Sequence, residues 1–421
     1  MARIGAMLPQ PGATRPRLLV IASTCPVRPG DGTPSFVWDL AEQEARAFEV
    51  VLLVPRVRRA PRRERVGALE IRRFRYFPAR WEDLADGAIL ENLRARPSRW
   101  LQVVPLLAAE WLAVRRLVRS LRPDALHAHW LLPQGLVARW AASAVPLLLT
   151  THGADVYALK GRLARALQGA ALRRAALVTA VNQDMRDRLL ELGASPEATV
   201  VAPMGADVRA IRAAAGSGPR RPERLLFVGR MVEKKGVQVL LDALRQGPDG
   251  HGVQGDWSLD LVGDGPLRPA LQSGPLGRSD RVRWLGTLER PALARALAGS
   301  GIVVVPSVAA ASGDQDGLPV VLLEAMAAGC AVVASRLPGI AQVVSDGRNG
   351  LLVPPGDAAA LGAAIARLLA DGDLRARLGA AARATADAHS VEAAGERYLE
   401  LLQGVLAGAA RPAAPAGSAE R

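Results

Sequence analysis

A chain of 421 residues, half of them apolar, is long enough for two domains that each bury a core, which excludes a disordered or fibrous protein. Its two cysteines, Cys25 and Cys330, cannot build a disulfide framework and point to a reducing cytoplasm. The net charge of +14 is concentrated in residues 55–122, where 17 Arg stand against 7 acidic residues for a net +10; the patch suits nucleic acid, anionic lipid or an acidic substrate, or is a solvated surface.

Residues 1–16 read as a loose leader without a signal-peptide pattern. Residues 17–24 are apolar and end in a glycine loop, as a buried parallel strand does. That loop holds Gly30-Asp-Gly-Thr33, where Gly32 would let the backbone approach a phosphate, although the full dinucleotide fingerprint is missing. A helix over 36–46 and a strand over 50–54 follow. In the Arg-rich segment, Trp100, Val104, Leu107, Trp111, Val114 and Val118 fall near one helical face, and such a stripe reads as core before membrane. Residues 101–114 are broken by Pro105 and Glu110, short of the roughly 18 apolar residues of a membrane span.

Strands over 124–130, 147–152 and 177–181 alternate with helices over 135–142 and 161–175. Residues 213–222 have linker composition. A second alternation then starts at 224–230 and runs through 237–244, 258–262, 282–285, 301–306 and 331–334. Short strands alternating with helices, twice over, predict an α/β protein of two doubly wound parallel sheets facing each other across a cleft. The expected division is a first domain over 17–212, a linker over 213–222 and a second domain over 223–388. A helix over 389–410 would cross back to the first domain, and 411–421 would be a disordered tail.

Ligands in such sheets gather at the carboxyl ends of the strands. There the sequence sets Arg230 and Lys235, two cations entering a helix, which suit a diphosphate. Asp316, Gly317, Leu318 and Pro319 lead into an apolar helix that carries Glu324, a carboxylate that is costly unless something polar meets it. Pro319 is expected in the first helical turn, and the free N–H groups there would welcome an anion. A pyrophosphate held by cations and a helix tip, with two acids left for hydroxyls, describes a nucleoside-diphosphate sugar. His152 ends a strand before a glycine, where it would face the cleft. His127, His129 and His152 raise a zinc alternative, but no carboxylate or cysteine stands at metal spacing beside them. The pair Asp314 and Asp316 suits a divalent ion, but Asp371 and Asp373 repeat the spacing in an ordinary loop, so no metal is expected.

These residues resemble the group 1 glycosyltransferases of family four, which have the two-domain GT-B fold. The resemblance rests on Val-Gly-Arg-Met-Val-Glu-Lys-Lys-Gly at 228–236, Leu-Val-Gly-Asp-Gly-Pro-Leu-Arg at 261–268, Asp-Gly-Leu-Pro-Val-Val-Leu-Leu-Glu at 316–324, and the segment 344–356. It implies that Arg230 and Lys235 neutralise the donor diphosphate, that Glu324 takes the ribose hydroxyls, and that Asp316 takes the transferred sugar. Gly317 and Leu318 would give backbone N–H groups, Gly32 a phosphate approach, and His152 a place beside the reacting carbon. The acceptor would lie near His129 and Trp130. The chain departs from the family at Asp316, where Glu is commoner, at Asp31, where glycine is, and at Met204, where Asn is usual. The implied activity is a retaining, metal-independent transfer of a hexose-type sugar from a UDP- or GDP-sugar to a glycan or lipid-linked acceptor. It would need no cofactor and would serve cell-surface polysaccharide or glycolipid synthesis, in the cytoplasm or on the inner face of an anionic membrane. The alternatives are a nucleotide-sugar epimerase or hydrolase on the same fold, and a basic protein that binds nucleic acid or an anionic surface.

Overall fold

The structure is a computed structural model that describes residues 15–27, 33–58, 60–87, 89–214, 219–247 and 249–410. Gly32 and Asp31, the leader up to residue 14, the middle of the expected linker and the tail over 411–421 lie outside the described residues.

Eight strands make the first sheet: β1 (Arg17–Ile21), β2 (Glu49–Pro55), β3 (Arg63–Val66), β4 (Leu69–Phe74), β5 (Ala125–His129), β6 (Leu147–Thr150), β7 (Leu177–Ala180) and β8 (Thr199–Val201). Their order is β3-β4-β2-β1-β5-β6-β7-β8, and every pairing is parallel except that of β3 with β4. The second sheet contains β9 (Arg221–Val228), β10 (Ser258–Val262), β11 (Val282–Gly286), β12 (Ser300–Val305), β13 (Ala331–Ser335) and β14 (Leu351–Val353). It runs β11-β10-β9-β12-β13-β14, parallel throughout. Strands such as Ser-Gly-Ile-Val-Val-Val and Ala-Val-Val-Ala-Ser are buried along their whole length. Helices cover both faces of such strands, so an unbroken apolar run replaces alternation.

Three features depart from the expectations. First, the Arg-rich segment contains the antiparallel β3–β4 pair, and much of its charge is spent internally. Arg73 is buried, paired with Glu64 and donating to the Pro26 carbonyl at 3.2 Å; Arg63 and Arg72 share Glu70, and Arg99 holds Asp83 at 2.8 Å. Second, the helix Val208–Ala214, expected to end the first domain, buries Val208 and Ile211 in the second domain's core beside Leu226 and Leu322. Apolar residues three apart give this helix one sticky face, and the second sheet's helices supply the partner. β9 in turn begins inside the expected linker. Third, the expected apolar stripe straddles the core boundary: Val114 is buried and Leu107, Trp111 and Val118 are partly so, whereas Trp100 and Val104 are exposed.

The helix Val391–Ala410 packs on the first domain, with Tyr398 and Leu402 in the cluster that holds Leu18, Trp38 and Ala41. The Tyr398 hydroxyl donates to the Ala202 carbonyl at 3.0 Å and lies 3.1 Å from the Thr179 hydroxyl. A chain segment that follows the second sheet thereby ties the two domains together.

Candidate functional site

The carboxyl ends of both sheets meet. The helix Phe36–Glu44 after β1 places Asp39 and Ser35 against Arg290, which opens the helix Arg290–Gly299 of the second domain. Asn182, after β7, donates from Nδ2 to the Gly317 carbonyl at 2.7 Å. Glu91, on the helix Ile89–Ala95, pairs with Arg230 after β9. Gly153 sits at φ 133°, and a Cβ there would stand 3.1 Å from the Gln315 carbonyl, so the loop after β6 rides directly on the loop that carries Asp316.

On the second domain, Lys235 Nζ lies 2.7 Å from Asp316 Oδ2, which also accepts from the Ser307 hydroxyl at 3.0 Å. Lys234 Nζ holds Asp314 at 3.1 Å and lies 3.8 Å from Asp316 Oδ1. Burial raises the Asp316 acid, but the charges of Lys235 and Lys234 and its two hydrogen bonds outweigh burial and hold it below the usual carboxylate range. Gly236, at φ 64°, lets the backbone turn beneath the Pro306 carbonyl, and a Cβ there would stand 1.8 Å from that oxygen; the tight turn sets Lys235 beside the loop after β12.

Pro319 takes the N-cap of the helix Val320–Ala327, one position before the expected first turn, and no side chain among the described residues caps this helix. Its leading N–H groups therefore keep their donor capacity. Glu324 is partly buried, and its carboxylate accepts no hydrogen bond from any described residue. Burial pushes its acid up to about 7; Arg290 draws it down in part, while Asp39 and Asp207 push it further up. The cation beside Glu324 is thus Arg290, whereas Arg230 is taken by Glu91.

The first domain contributes a chain of aromatic rings. The His152 ring stands 4.8 Å from Phe36, 4.8 Å from Trp130 and 5.2 Å from His129. Asp155, buried, accepts from the backbone N–H groups of Leu131 at 2.9 Å, His152 at 3.2 Å and Gly153 at 3.0 Å, and so pins the loops after β5 and β6 to each other. Trp130 holds a positive φ of 77°, an unusual backbone for a tryptophan, kept by its N–H bond to the Thr150 carbonyl at 2.7 Å. His129, expected to touch the acceptor, is fully buried and meets His152 instead, because β5 is covered on both faces. His127 spends its nitrogens on Glu44 at 2.6 Å and Thr150 at 2.7 Å, which leaves no zinc site in the three histidines.

Gly317 is buried at the domain contact, and Leu318 is partly buried against the second domain's core. Sequence reasoning missed Glu91, Arg290, Asn182 and Asp155 as site residues. Only Asp155, in the stretch that follows His152, carried a local signal: an acid two residues past the glycine that follows a strand.

Comparison with known proteins agrees with this architecture. Residues 222–371 match the family described as glycosyl transferases group 1, and residues 31–205 match the glycosyl transferase 4-like domain. The putative colanic acid biosynthesis glycosyltransferase WcaL of Salmonella typhimurium is 32% identical over 198 residues, covering 46% of this chain and 48% of that protein. A phosphatidyl-myo-inositol mannosyltransferase of Mycobacterium leprae is 40% identical over 164 residues, covering 39% and 41%. The matched stretch spans about half the length of these curated relatives. Among solved structures, sucrose-phosphate synthase from Thermosynechococcus elongatus superposes with a TM-score of 0.75 at 22% identity, over 94% of this chain and all of the other. HepE of Anabaena, solved with UDP-glucose, gives 0.66 at 20% identity, over 93% and all of the other. These structural likenesses carry the fold alone. With both halves matched and two parallel sheets joined across a cleft, the chain belongs to the group 1 glycosyltransferases and has the GT-B fold.

Proposed function

We propose that the chain transfers a hexose-type sugar from a nucleoside-diphosphate sugar to a glycan or lipid-linked acceptor, with retention at the anomeric carbon. The observation that carries this reading is Glu324: a carboxylate within an apolar helix, without a hydrogen-bond donor among the described residues, one turn from an uncapped helix start. Hydroxyl groups of a ribose would supply the missing donors. Arg230, Lys235 and the helix N–H groups would meet the diphosphate and stabilise the charge that develops as it leaves. Because these groups supply the positive charge, the proposed chemistry calls for no metal. Asp316 would hold a hydroxyl of the transferred sugar, with Gly317 and Leu318 beside it, and His152 would stand near the reacting carbon. WcaL and the mannosyltransferase are named for polysaccharide and lipid-linked products, and HepE is solved with UDP-glucose; these support the acceptor class and a UDP donor.

Among the described residues no helix is long and apolar enough to cross a membrane. The exposed Trp100, Leu101, Val104 and Leu112 lie beside the exposed Arg115, Arg116 and Arg119, a face that suits the surface of an anionic bilayer and a lipid-linked acceptor there.

A panel of UDP- and GDP-sugars tested by thermal shift checks the donor, since a bound donor raises the melting point by mass action. One nucleotide sugar should raise it well above the rest, and the anomeric configuration of the product should match the donor. Free sugar or an epimer formed rapidly without acceptor would favour the hydrolase or epimerase. Salt-sensitive DNA binding with no donor-induced shift would favour the nucleic-acid reading.

A further inference from the structure

We infer that His129 is a positioning residue which fixes the tautomer of His152, so that His152 presents its Nδ1–H, as a hydrogen-bond donor, to the sugar. This deepens the role given to His152 under Proposed function and rests on it.

His129 Nδ1 and His152 Nε2 are 3.0 Å apart, with the two rings stacked at 15°. Burial, with the neighbouring His127, takes the His152 imidazolium down to about 3 and His129 well below its ordinary value, so both rings are neutral near pH 7. Two neutral imidazoles share one proton in such a contact, and the other two ring nitrogens decide which way it points. His129 Nε2 is buried without a partner among the described residues. If His152 donated, His129 would keep its own proton on that nitrogen, an orphaned N–H inside a ring stack. If His129 donates, the buried atom is a bare lone pair, and no N–H is lost. Orphaned buried N–H groups are the rarer of the two in folded proteins. The second arrangement places the His152 proton on Nδ1, which no described residue engages.

The rest of the stack holds His129 in place. The His127 ring lies 4.2 Å away, anchored by Glu44 and Thr150. Thr179 links Thr150 at 2.8 Å to Tyr398 at 3.1 Å, so the crossover helix closes the far end of the network. His152 is therefore a donor toward oxygen, and proton abstraction from the acceptor falls to another group.

Long-range proton–nitrogen NMR on histidine-labelled protein reads the tautomer directly, with His152→Ala assigning the signal. The expected result is a proton on Nδ1 of His152; a proton on Nε2 would overturn the proposal. His129→Phe, which keeps the ring and loses the hydrogen bond, should mix the His152 tautomers and lower kcat at least tenfold. The KM for the nucleotide sugar chosen by thermal shift should stay within about twofold. An unchanged tautomer or an unchanged kcat in that variant would overturn the proposal. Should the phenylalanine variant fail to fold, His129→Asn and His129→Gln decide. Asparagine reaches the Nδ1 position and should restore the His152 tautomer and most of kcat, and glutamine should not; equal behaviour of the two would overturn the proposal. Full turnover by His152→Ala would instead sink the catalytic role of His152 itself, whatever its tautomer.

Discussion

Arg230 and Glu91 form an ion pair across the cleft, one from the loop after β9 and the other from the helix Ile89–Ala95. Burial raises the Glu91 acid, and Arg230 and Lys234 draw it back, so this carboxylate sits among the cations proposed for the diphosphate. A donor diphosphate bound at Arg230 as proposed would have to displace Glu91 from the guanidinium.

Glu91→Gln should therefore tighten nucleotide-sugar binding several-fold, whereas Arg230→Ala should weaken it at least tenfold. Calorimetric titration of both variants at one ionic strength measures this, since screening reduces such contacts. Weaker binding by Glu91→Gln would show that the acid supports the donor.

Lys235 and Asp316 make a second prediction, about stability. Asp316 has a depressed acid in the folded chain, so its contribution is present above the ordinary carboxylate value and is lost as pH falls through the folded value. Lys235→Ala removes its nearest charge and leaves Lys234 and Ser307 as partners. We expect a loss of about 2 kcal/mol at pH 7, because the remaining carboxylate is largely buried. The loss should shrink toward pH 3, and the donor-induced rise in melting point should vanish. Denaturant unfolding at the two pH values checks the first part, and a constant loss at both would refute it.

The reach of the sequence follows from the same contacts. Strands such as β2 and β12 were legible because parallel strands covered on both faces become continuous apolar runs, and the segments around Arg230, Asp316 and Glu324 are local in sequence. The β3–β4 pair was not legible, since Arg-Glu-Arg-Val and Leu-Glu-Ile-Arg-Arg-Phe look like solvated surface until Glu64 and Glu70 are seen to pair with their arginines. His129 was misplaced for a related reason: in a strand buried on both faces, alternation does not tell which side chains reach the cleft. Glu91 and Arg290 gave no signal at all, because each takes its role from a residue in the other domain.

Glu324 supports a prediction with a definite sign. Its folded acid, at about 7, lies above the ordinary 4.5, so the folded chain holds a proton that the unfolded chain has lost. Stability from this residue therefore falls as pH rises from about 4.5 to 7. Glu324→Gln should remove that slope and be more stable at pH 8 by about 1–2 kcal/mol, a figure discounted for partial exposure. The same variant should bind donor at least tenfold more weakly, and wild-type affinity should decline as pH drops through 7 and the carboxylate takes a proton. A glutamine variant less stable than wild type at pH 8 would contradict the raised acid.

The exposed face of the first domain gives the last prediction. Trp100, Leu101, Val104 and Leu112 are exposed, whereas Gln102, Leu106, Glu110 and Val114 of the same helical region are buried. The region therefore turns apolar side chains both inward and outward, with Arg115, Arg116 and Arg119 along the outer side. Solvent alone gives no reason to expose such a group together, whereas a bilayer boundary takes the tryptophan and leucines while anionic headgroups meet the arginines. Co-sedimentation with vesicles of phosphatidylcholine containing phosphatidylglycerol should retain the protein, and pure phosphatidylcholine should retain much less. Replacing Trp100, Leu101 and Val104 together by serine should lower binding at least tenfold, since each loses exposed apolar area that the bilayer would cover. The melting point should hold within a few degrees, because none of the three is in the core. Binding that ignores both the anionic lipid and these substitutions would remove the membrane from the proposal and leave the glycosyl-transfer site unaffected.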